Sequence, residues 1–279
     1  MIKSNKMTPL KGFGGNWTET KLDILEKYLN NFTTALKNQS FELWYIDAFA
    51  GYGEIEIKDN ETKKFIEGSV NRALKATDRP FDNLIFIETD ECKVNSLKRI
   101  KRENPSRKIN IQQCDANDYL KKLDINTQNI RGVLFLDPYG TQVEWSTLER
   151  IAQYKFLDTW ILFPVATLHR MMPRTSKQNS HKEKLNKVFG SSVWEDIYSS
   201  SQDLFGNDLK RREKGTLDLL NLYKKQLKQL FGYRLLNSTK SFYTSTNSHY
   251  FEFIFCTGSN QQQSINISHK IASHLINNI

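Results

Sequence analysis

Residues 43–53 read Leu43-Trp-Tyr-Ile-Asp-Ala-Phe-Ala-Gly-Tyr-Gly53. A run of aromatic and β-branched residues that closes on an acid, small residues and two spaced glycines is a buried strand entering a tight loop. Gly51 and Gly53 can take positive φ, or let a ligand reach the backbone with no Cβ in the way. Asp47, at the carboxyl end of the strand, is predicted to point into the crevice where open α/β sheets bind ligands.

The flanking sequence supplies the rest of such a sheet. Asn16-Trp-Thr-Glu19 has the form of a capping box, and Leu22, Leu25, Leu29, Phe32 and Leu36 then recur on one helical face. Trp17 and Lys21, at the start of that helix, are placed to border the crevice. After Gly53 the alternation from Glu54 to Ile66, broken by Asp59-Asn60, predicts an inserted β-hairpin over 54–66. The helix expected after the first strand is thereby delayed to Gly68-Ser69, with Ser69 as N-cap. Its free N–H groups suit an anion such as a ligand carboxylate. Further strands are expected at 84–87, 109–113, 132–136 and 159–165, with helices between them, and this alternation implies a parallel sheet covered on both faces. Two later strands, 233–242 and 250–255, are expected to pair antiparallel at the sheet edge, and a helix over 264–276 closes the chain.

The fold class expected is therefore α/β: a doubly wound, mostly parallel seven-stranded Rossmann-like sheet with an antiparallel edge strand. The 279 residues read as one domain carrying the hairpin and a basic, mainly helical insertion at about 167–215. With 38% hydrophobic and 12% aromatic residues the chain can bury enough surface to fold, which excludes a disordered class. The formal charge of +9 fits a polyanionic partner, and an ordinary basic enzyme equally. From Val165 to Arg234 there are 14 Lys and Arg against 7 Asp and Glu, a net of +7, so most of the excess lies in one quarter of the chain. Cys92, Cys114 and Cys256 show no metal or redox spacing, and the five histidines have no ligand spacing beyond a weak pairing of His269 with His274, so no metal is expected. No signal segment or long apolar run is seen, and a cytoplasmic protein without membrane association is expected.

Three acids fall at successive strand ends: Asp47, Glu88 and Asp115. Side by side above one sheet edge they suit a nucleoside-like ligand, Glu88 taking ribose hydroxyls, Asp115 an exocyclic amine and Asp47 an ammonium group. Taken singly, each is also a cap for a helix or loop. The dinucleotide fingerprint is incomplete, because the third glycine is missing and the helix is displaced. S-adenosyl-L-methionine, which has no pyrophosphate, fits better. Phe49, Ala50, Gly51, Gly53, Ser69 and Ala116 complete the expected cofactor-binding set.

This order of motifs, with Asp137 after the fourth strand, resembles that of Rossmann-like class I methyltransferases over about residues 43–165. The segment beginning Trp17-Thr-Glu-Thr-Lys, the Phe-Ala-Gly loop, the late Gly68-Ser69, Asp137-Pro-Tyr-Gly, Val188-Phe-Gly and Trp194 together look like the three-Cys-motif partner protein family, TcmP. That resemblance spans most of the chain. It implies a methyltransferase-like fold and a partner protein bearing a cysteine motif. Asp137, Pro138 and Tyr139 are also similar to the Asp-Pro-Pro-Tyr of adenine amino-methyltransferases and to the Asp-Pro-Phe-Gly of tRNA guanine N2-methyltransferases. The likeness implies that they orient an exocyclic amine and stack on a base, although the same four residues also read as a turn. Arg170, Arg174, Lys177 and the cluster Lys210, Arg211 and Arg212 are the candidates to track phosphates of RNA or DNA, or else form a solvated or partner-binding face. The function expected is S-adenosylmethionine-dependent methylation of a base amine; the alternative is a non-catalytic member that binds a protein or nucleic acid.

Overall fold

The computed structural model describes residues 16–59, 62–76, 78–123, 128–174, 180–202, 208–212 and 214–279. The first element, helix α1 (Asn16–Ala35), leads into strand β1 (Glu42–Asp47). An antiparallel hairpin of β2 (Glu54–Asp59) and β3 (Thr62–Glu67) follows, and helix α2 (Ser69–Leu74) starts only after it. The chain then alternates through β4 (Asn83–Ile87), α3 (Glu91–Glu103), β5 (Ile109–Gln112), α4 (Ala116–Lys122), β6 (Ile130–Leu136), α5 (Trp145–Tyr154) and β7 (Leu157–Phe163). After α6 (Val165–Met171) and α7 (Lys182–Phe189), strands β8 (Tyr198–Gln202) and β9 (Asp208–Arg212) form a separate two-stranded ribbon. Helix α8 (Thr216–Phe231), strands β10 (Lys240–Tyr243) and β11 (His249–Cys256) and helix α9 (Gln262–Asn278) complete the order.

The central sheet has seven strands in the order β10-β11-β7-β6-β1-β4-β5. β1 pairs in parallel with both β4 and β6, so the strand order reverses there, and β11 runs against both its neighbours. This is the α/β, mostly parallel sheet that the alternation of strands and helices predicts. Buried side chains cover both faces. Ile24, Leu25, Tyr28, Val70, Leu97 and Leu275 place α1, α2, α3 and α9 on one side. Leu120, Leu148, Leu168, Leu185 and Leu227 place α4 to α8 on the other. Strand β7 is buried along its whole length, as a two-sided strand must be.

Two expectations need correction, and a third is refined. The stretch 167–215 holds the end of α6, α7 and a short helical segment at Ser192–Ile197, and it also carries β8 and β9. The Ser-rich run at 199–201 and the charged run at 208–212 give no apolar face of either period, so periodicity could not find them. Residues 233–236 do not extend a strand. Gly232, at φ 60°, ends α8, a single helical turn follows, and Arg234 is drawn inward to donate to the carbonyl of Ala152 at 2.8 Å. Ser69 is not the N-cap of α2; Gly68 is, and Ser69 stands in the first turn. A Cβ on Gly68 would lie 2.9 Å from the Gly53 carbonyl, which the Gly68 N–H itself binds at 2.8 Å, so the close approach of the two loops requires glycine there. The Asn16 side chain, and with it the capping role given to Asn16, is not among what is described. No helix among those described is long and apolar enough to cross a membrane.

Candidate active site

The carboxyl ends of β1, β4, β5 and β6 bring the sequence-predicted acids to one edge of the sheet. Glu88, just past β4, is 9% exposed and almost fully engaged. One oxygen accepts the N–H groups of Thr89 at 2.9 Å and Asp90 at 3.1 Å. The other accepts the Gly51 N–H at 3.2 Å and faces the Lys93 ammonium at 3.3 Å. Glu88 thus ties the glycine loop to the end of β4. Asp115 caps α4, accepting from Asn117 and Asp118 N–H groups through Oδ1. Its Oδ2 has no hydrogen-bond partner among the described residues, so one acceptor remains for a ligand.

A cavity of about 330 Å³ lies between these two acids, with Phe49, Ala116, Asp137 and Tyr139 also on its walls. That size is at the lower end for small-molecule sites, roughly 300–1,000 Å³. Lys93 also borders it and uses acceptor capacity on Glu88 that ribose hydroxyls would need. Lys93 is a third exposed, and such a pair is worth at most about 1 kcal/mol. Lys93→Ala is therefore expected to bind a nucleoside ligand as tightly as the wild type or up to about fivefold tighter by calorimetry; weaker binding would mean that the ammonium contributes to the site.

Asp47 is placed differently from its expected role. It is fully buried and does not border the cavity. It accepts hydrogen bonds from the Tyr45 hydroxyl at 3.1 Å, the Phe49 N–H at 3.3 Å and the Ser69 hydroxyl. Burial, with a further contribution from the charge on Asp137, pushes its pKa up to about 6, against the lowering effect of those hydrogen bonds. An acid with a raised folded pKa binds more protons in the folded than the unfolded state between pH 4 and 6, so its contribution to stability falls as pH rises through that window. The loss is on the order of 3 kcal/mol. In chemical denaturation, the stability of Asp47→Asn relative to wild type should rise by about that amount between pH 4 and pH 7; a pH-independent difference would contradict the assignment.

Of the expected cofactor-binding residues, Ala50, Gly51, Gly53 and Ser69 are not on the wall of this cavity. Gly51 and Gly53 take φ values of 63° and 83°. The Gly53 carbonyl accepts from the Gly68 N–H and from Asn71 Nδ2, at 2.9 Å, which joins the loop to α2.

Asp137, Pro138 and Tyr139 follow β6. The loop is fixed by a network around Asn117, whose Oδ1 accepts from the Glu144 N–H and the Thr147 hydroxyl and whose amide donates to the Gln142 carbonyl. Gln142 in turn accepts the Tyr139 N–H at 2.7 Å, and Gly140 closes the turn at φ 87°. The Tyr139 side chain is 73% exposed over the mouth of the site. Asp137 meets Lys21 of α1, whose Nζ lies 2.5 Å from Oδ2. Lys21 is 3% exposed, and its ammonium sits over the rings of Trp17 at 5.2 Å and Phe135 at 5.9 Å. Arg72 of α2 anchors this helix by ion pairs to Asp23 at 2.6 Å and Glu26 at 2.7 Å.

Beyond Asp137 lies a second cavity, of about 470 Å³, bounded by Trp17, Lys21, Tyr139, Arg170, Tyr250 and Phe251. The Trp17 ring is 4.8 Å from that of Phe251 and 6.0 Å from that of Tyr250. Asp137 and Tyr139 border both cavities, so one site is divided into an acidic and an aromatic compartment. Sequence reasoning placed Trp17 and Lys21 near the crevice but missed Thr18, Tyr250 and Phe251. Lys21 carries a signal of its own, because it falls on the same helical stripe as Trp17, Ile24 and Tyr28, where a charge is out of place.

Among the basic candidates, Arg170 borders the aromatic cavity, and Arg174 and Arg211 are exposed. Arg212 is spent on structure: it donates to the carbonyls of His169 at 2.5 Å and Met172 at 2.7 Å, capping the end of α6. Lys177 and the Lys210 side chain lie outside the described residues.

No family model and no curated protein matches the chain. Among solved structures, a Legionella pneumophila protein of the family DUF519 is 12% identical and aligns over 92% of each chain with a TM-score of 0.50. The chain shares its fold. An S-adenosylmethionine-dependent methyltransferase from Clostridium acetobutylicum aligns over 84% of this chain and 92% of its own, at 10% identity and a TM-score of 0.40. The N-terminal domain of EvdMO1, solved with SAH bound, aligns over 83% and 79%, at 8% identity and a TM-score of 0.38. At 12% identity the likeness to the Legionella protein is one of fold alone.

Proposed function

We propose that the chain is an S-adenosylmethionine-dependent methyltransferase acting on an exocyclic amine of a base in RNA or DNA. The observation that carries this reading is the pair of cavities meeting at Asp137 and Tyr139, one walled by acids and the other by aromatic rings. The acidic compartment fits the cofactor: Glu88 stands where ribose hydroxyls would be held, and Asp115 keeps a carboxylate oxygen free for the adenine amine. When bound, S-adenosylmethionine supplies an electrophilic methyl group on a sulfonium that departs as a neutral thioether.

The residues of the chain then have mainly to align the acceptor. Asp137 accepts a hydrogen bond from the amine through Oδ1, which has no partner among the described residues, and turns the nitrogen lone pair toward the acidic compartment. Tyr139, Trp17 and Phe251 stack on the base and keep water from it. A base reached in this way is flipped out or single-stranded. Arg170, Arg174 and Arg211 are the remaining candidates for phosphate contacts, and association with substrate should weaken steeply with salt if they make them.

Membership of the three-Cys-motif partner family, a partner protein carrying the cysteine motif and a cytoplasmic setting belong to the same proposal. The competing reading, a non-catalytic binder, draws on one observation: Asp137 is already paired with a buried lysine, as a purely structural acid would be. Transfer of labelled methyl from S-adenosylmethionine to bulk tRNA, rRNA or DNA separates the two. Incorporation into any of them is expected, and cofactor binding without incorporation into any of them would favour the binder.

A further inference from the structure

We infer that Lys21, assisted by Thr18, determines which amine the site accepts, by donating a hydrogen bond to a ring nitrogen next to that amine. The inference rests on the base-amine reading above and narrows it. Lys21 borders the aromatic cavity, its Nζ has three protons to donate, and Asp137 is its one hydrogen-bond partner among the described residues. The Trp17 and Phe135 rings also lie close to the ammonium, at 5.2 and 5.9 Å. Thr18 borders the same cavity, is 3% exposed, and its hydroxyl is buried without a hydrogen-bond partner. A buried hydroxyl left unpaired is costly, and a rotation of the Thr18 side chain toward the cavity would let a ligand satisfy it.

Lys21 and Asp137 therefore present a donor and an acceptor side by side. The complementary edge is an amine attached to a carbon that is also bonded to an unprotonated ring nitrogen: N6 with N1 of adenine, N4 with N3 of cytosine, or N2 with N3 of guanine. The amine donates to Asp137 and the ring nitrogen accepts from Lys21. An aliphatic amine, such as a protein lysine, has no neighbouring acceptor and arrives as a cation that the Lys21 ammonium repels. The same pair thus favours a neutral aromatic amine and rejects a basic one, which is discrimination by repulsion as well as attraction.

The test uses single-stranded oligonucleotides containing adenine, cytosine or guanine and their counterparts with that ring nitrogen replaced by CH: 1-deazaadenine, 3-deazacytosine and 3-deazaguanine. With the wild-type protein, kcat/KM for the methylated base should fall about ten- to a hundredfold on loss of the ring nitrogen, the range for one hydrogen bond to a charged group. Lys21→Met should lose a similar factor on the parent base and no longer distinguish it from the deaza analogue, while S-adenosylmethionine binding, followed by calorimetry, stays within about twofold. Thr18→Val should show a smaller loss in the same direction. Equal use of parent and analogue by the wild type overturns the role given to Lys21 while leaving the base-amine reading intact. This comparison needs no variant, so a Lys21→Met protein that fails to fold does not obscure it. Methylation of none of the three parent bases by the wild type overturns the base-amine reading and this inference with it.

Discussion

Glu88→Ala should weaken S-adenosylmethionine binding at least a hundredfold in calorimetric titrations of otherwise identical proteins. Two losses combine. The variant lacks the acceptor for ribose hydroxyls, and hydrogen bonds to a charged group contribute about 1.5–3 kcal/mol each. It also releases the N–H groups of Gly51, Thr89 and Asp90, which the carboxylate holds in place, so the loop opposite the ligand must be ordered by binding itself. Glu88→Gln keeps an acceptor oxygen but no charge, and should fall between. A melting temperature measured on each variant separates loss of the site from loss of the fold. Binding by Glu88→Ala within threefold of the wild type would remove the cofactor assignment.

Asp137 carries the second large effect, and here stability and activity must be separated. Asp137→Ala is expected to cost about 3–5 kcal/mol of stability, because it strands the Lys21 ammonium in a buried position. Methyl transfer should fall by about a thousandfold or more, on the scale of losing a preorganised group that aligns the reaction. The double variant Asp137→Ala with Lys21→Met removes both charges and should recover most of the stability, since replacing a whole buried pair by apolar groups is close to neutral. It should recover none of the activity. If the double variant regains both, Asp137 serves only to neutralise the lysine, and the binder reading gains.

The sheet was legible in the sequence because its signals are local. Each of β4 and β6 is a short, largely apolar run ending in an acid, and burial on both faces makes such runs continuous rather than alternating. The delay of α2 was legible for the same reason, since hairpin alternation fills the gap between Gly53 and Gly68. Asp47 shows where local reading stops. Its position at a strand end is right, but its burial depends on Tyr45 and Ser69 closing over it from two directions, and no spacing in the chain records that. The aromatic compartment is harder still. Trp17 reads as part of an amphipathic helix and Phe251 as part of a strand, and only the packing of α1 over the reversed strand β11 brings the two rings to 4.8 Å. Arg212 illustrates the opposite error. A cluster of three basic residues looks like a phosphate contact, yet one of its members turns inward to cap a helix.

The two compartments differ in how their parts are spread along the chain, and that has a consequence for synthesis. The residues that border the acidic compartment lie between Ala48 and Gln142. The aromatic compartment joins Trp17, near the start, to Tyr250 and Phe251 near the end. On a ribosome, where earlier segments fold as units while later ones are still being added, every residue that borders the acidic compartment has emerged long before β11 exists. An unfinished chain therefore lacks one wall of the aromatic compartment, however much of the acidic one has been made. On the proposed reading, the place where an acceptor stacks is completed only with the last strand.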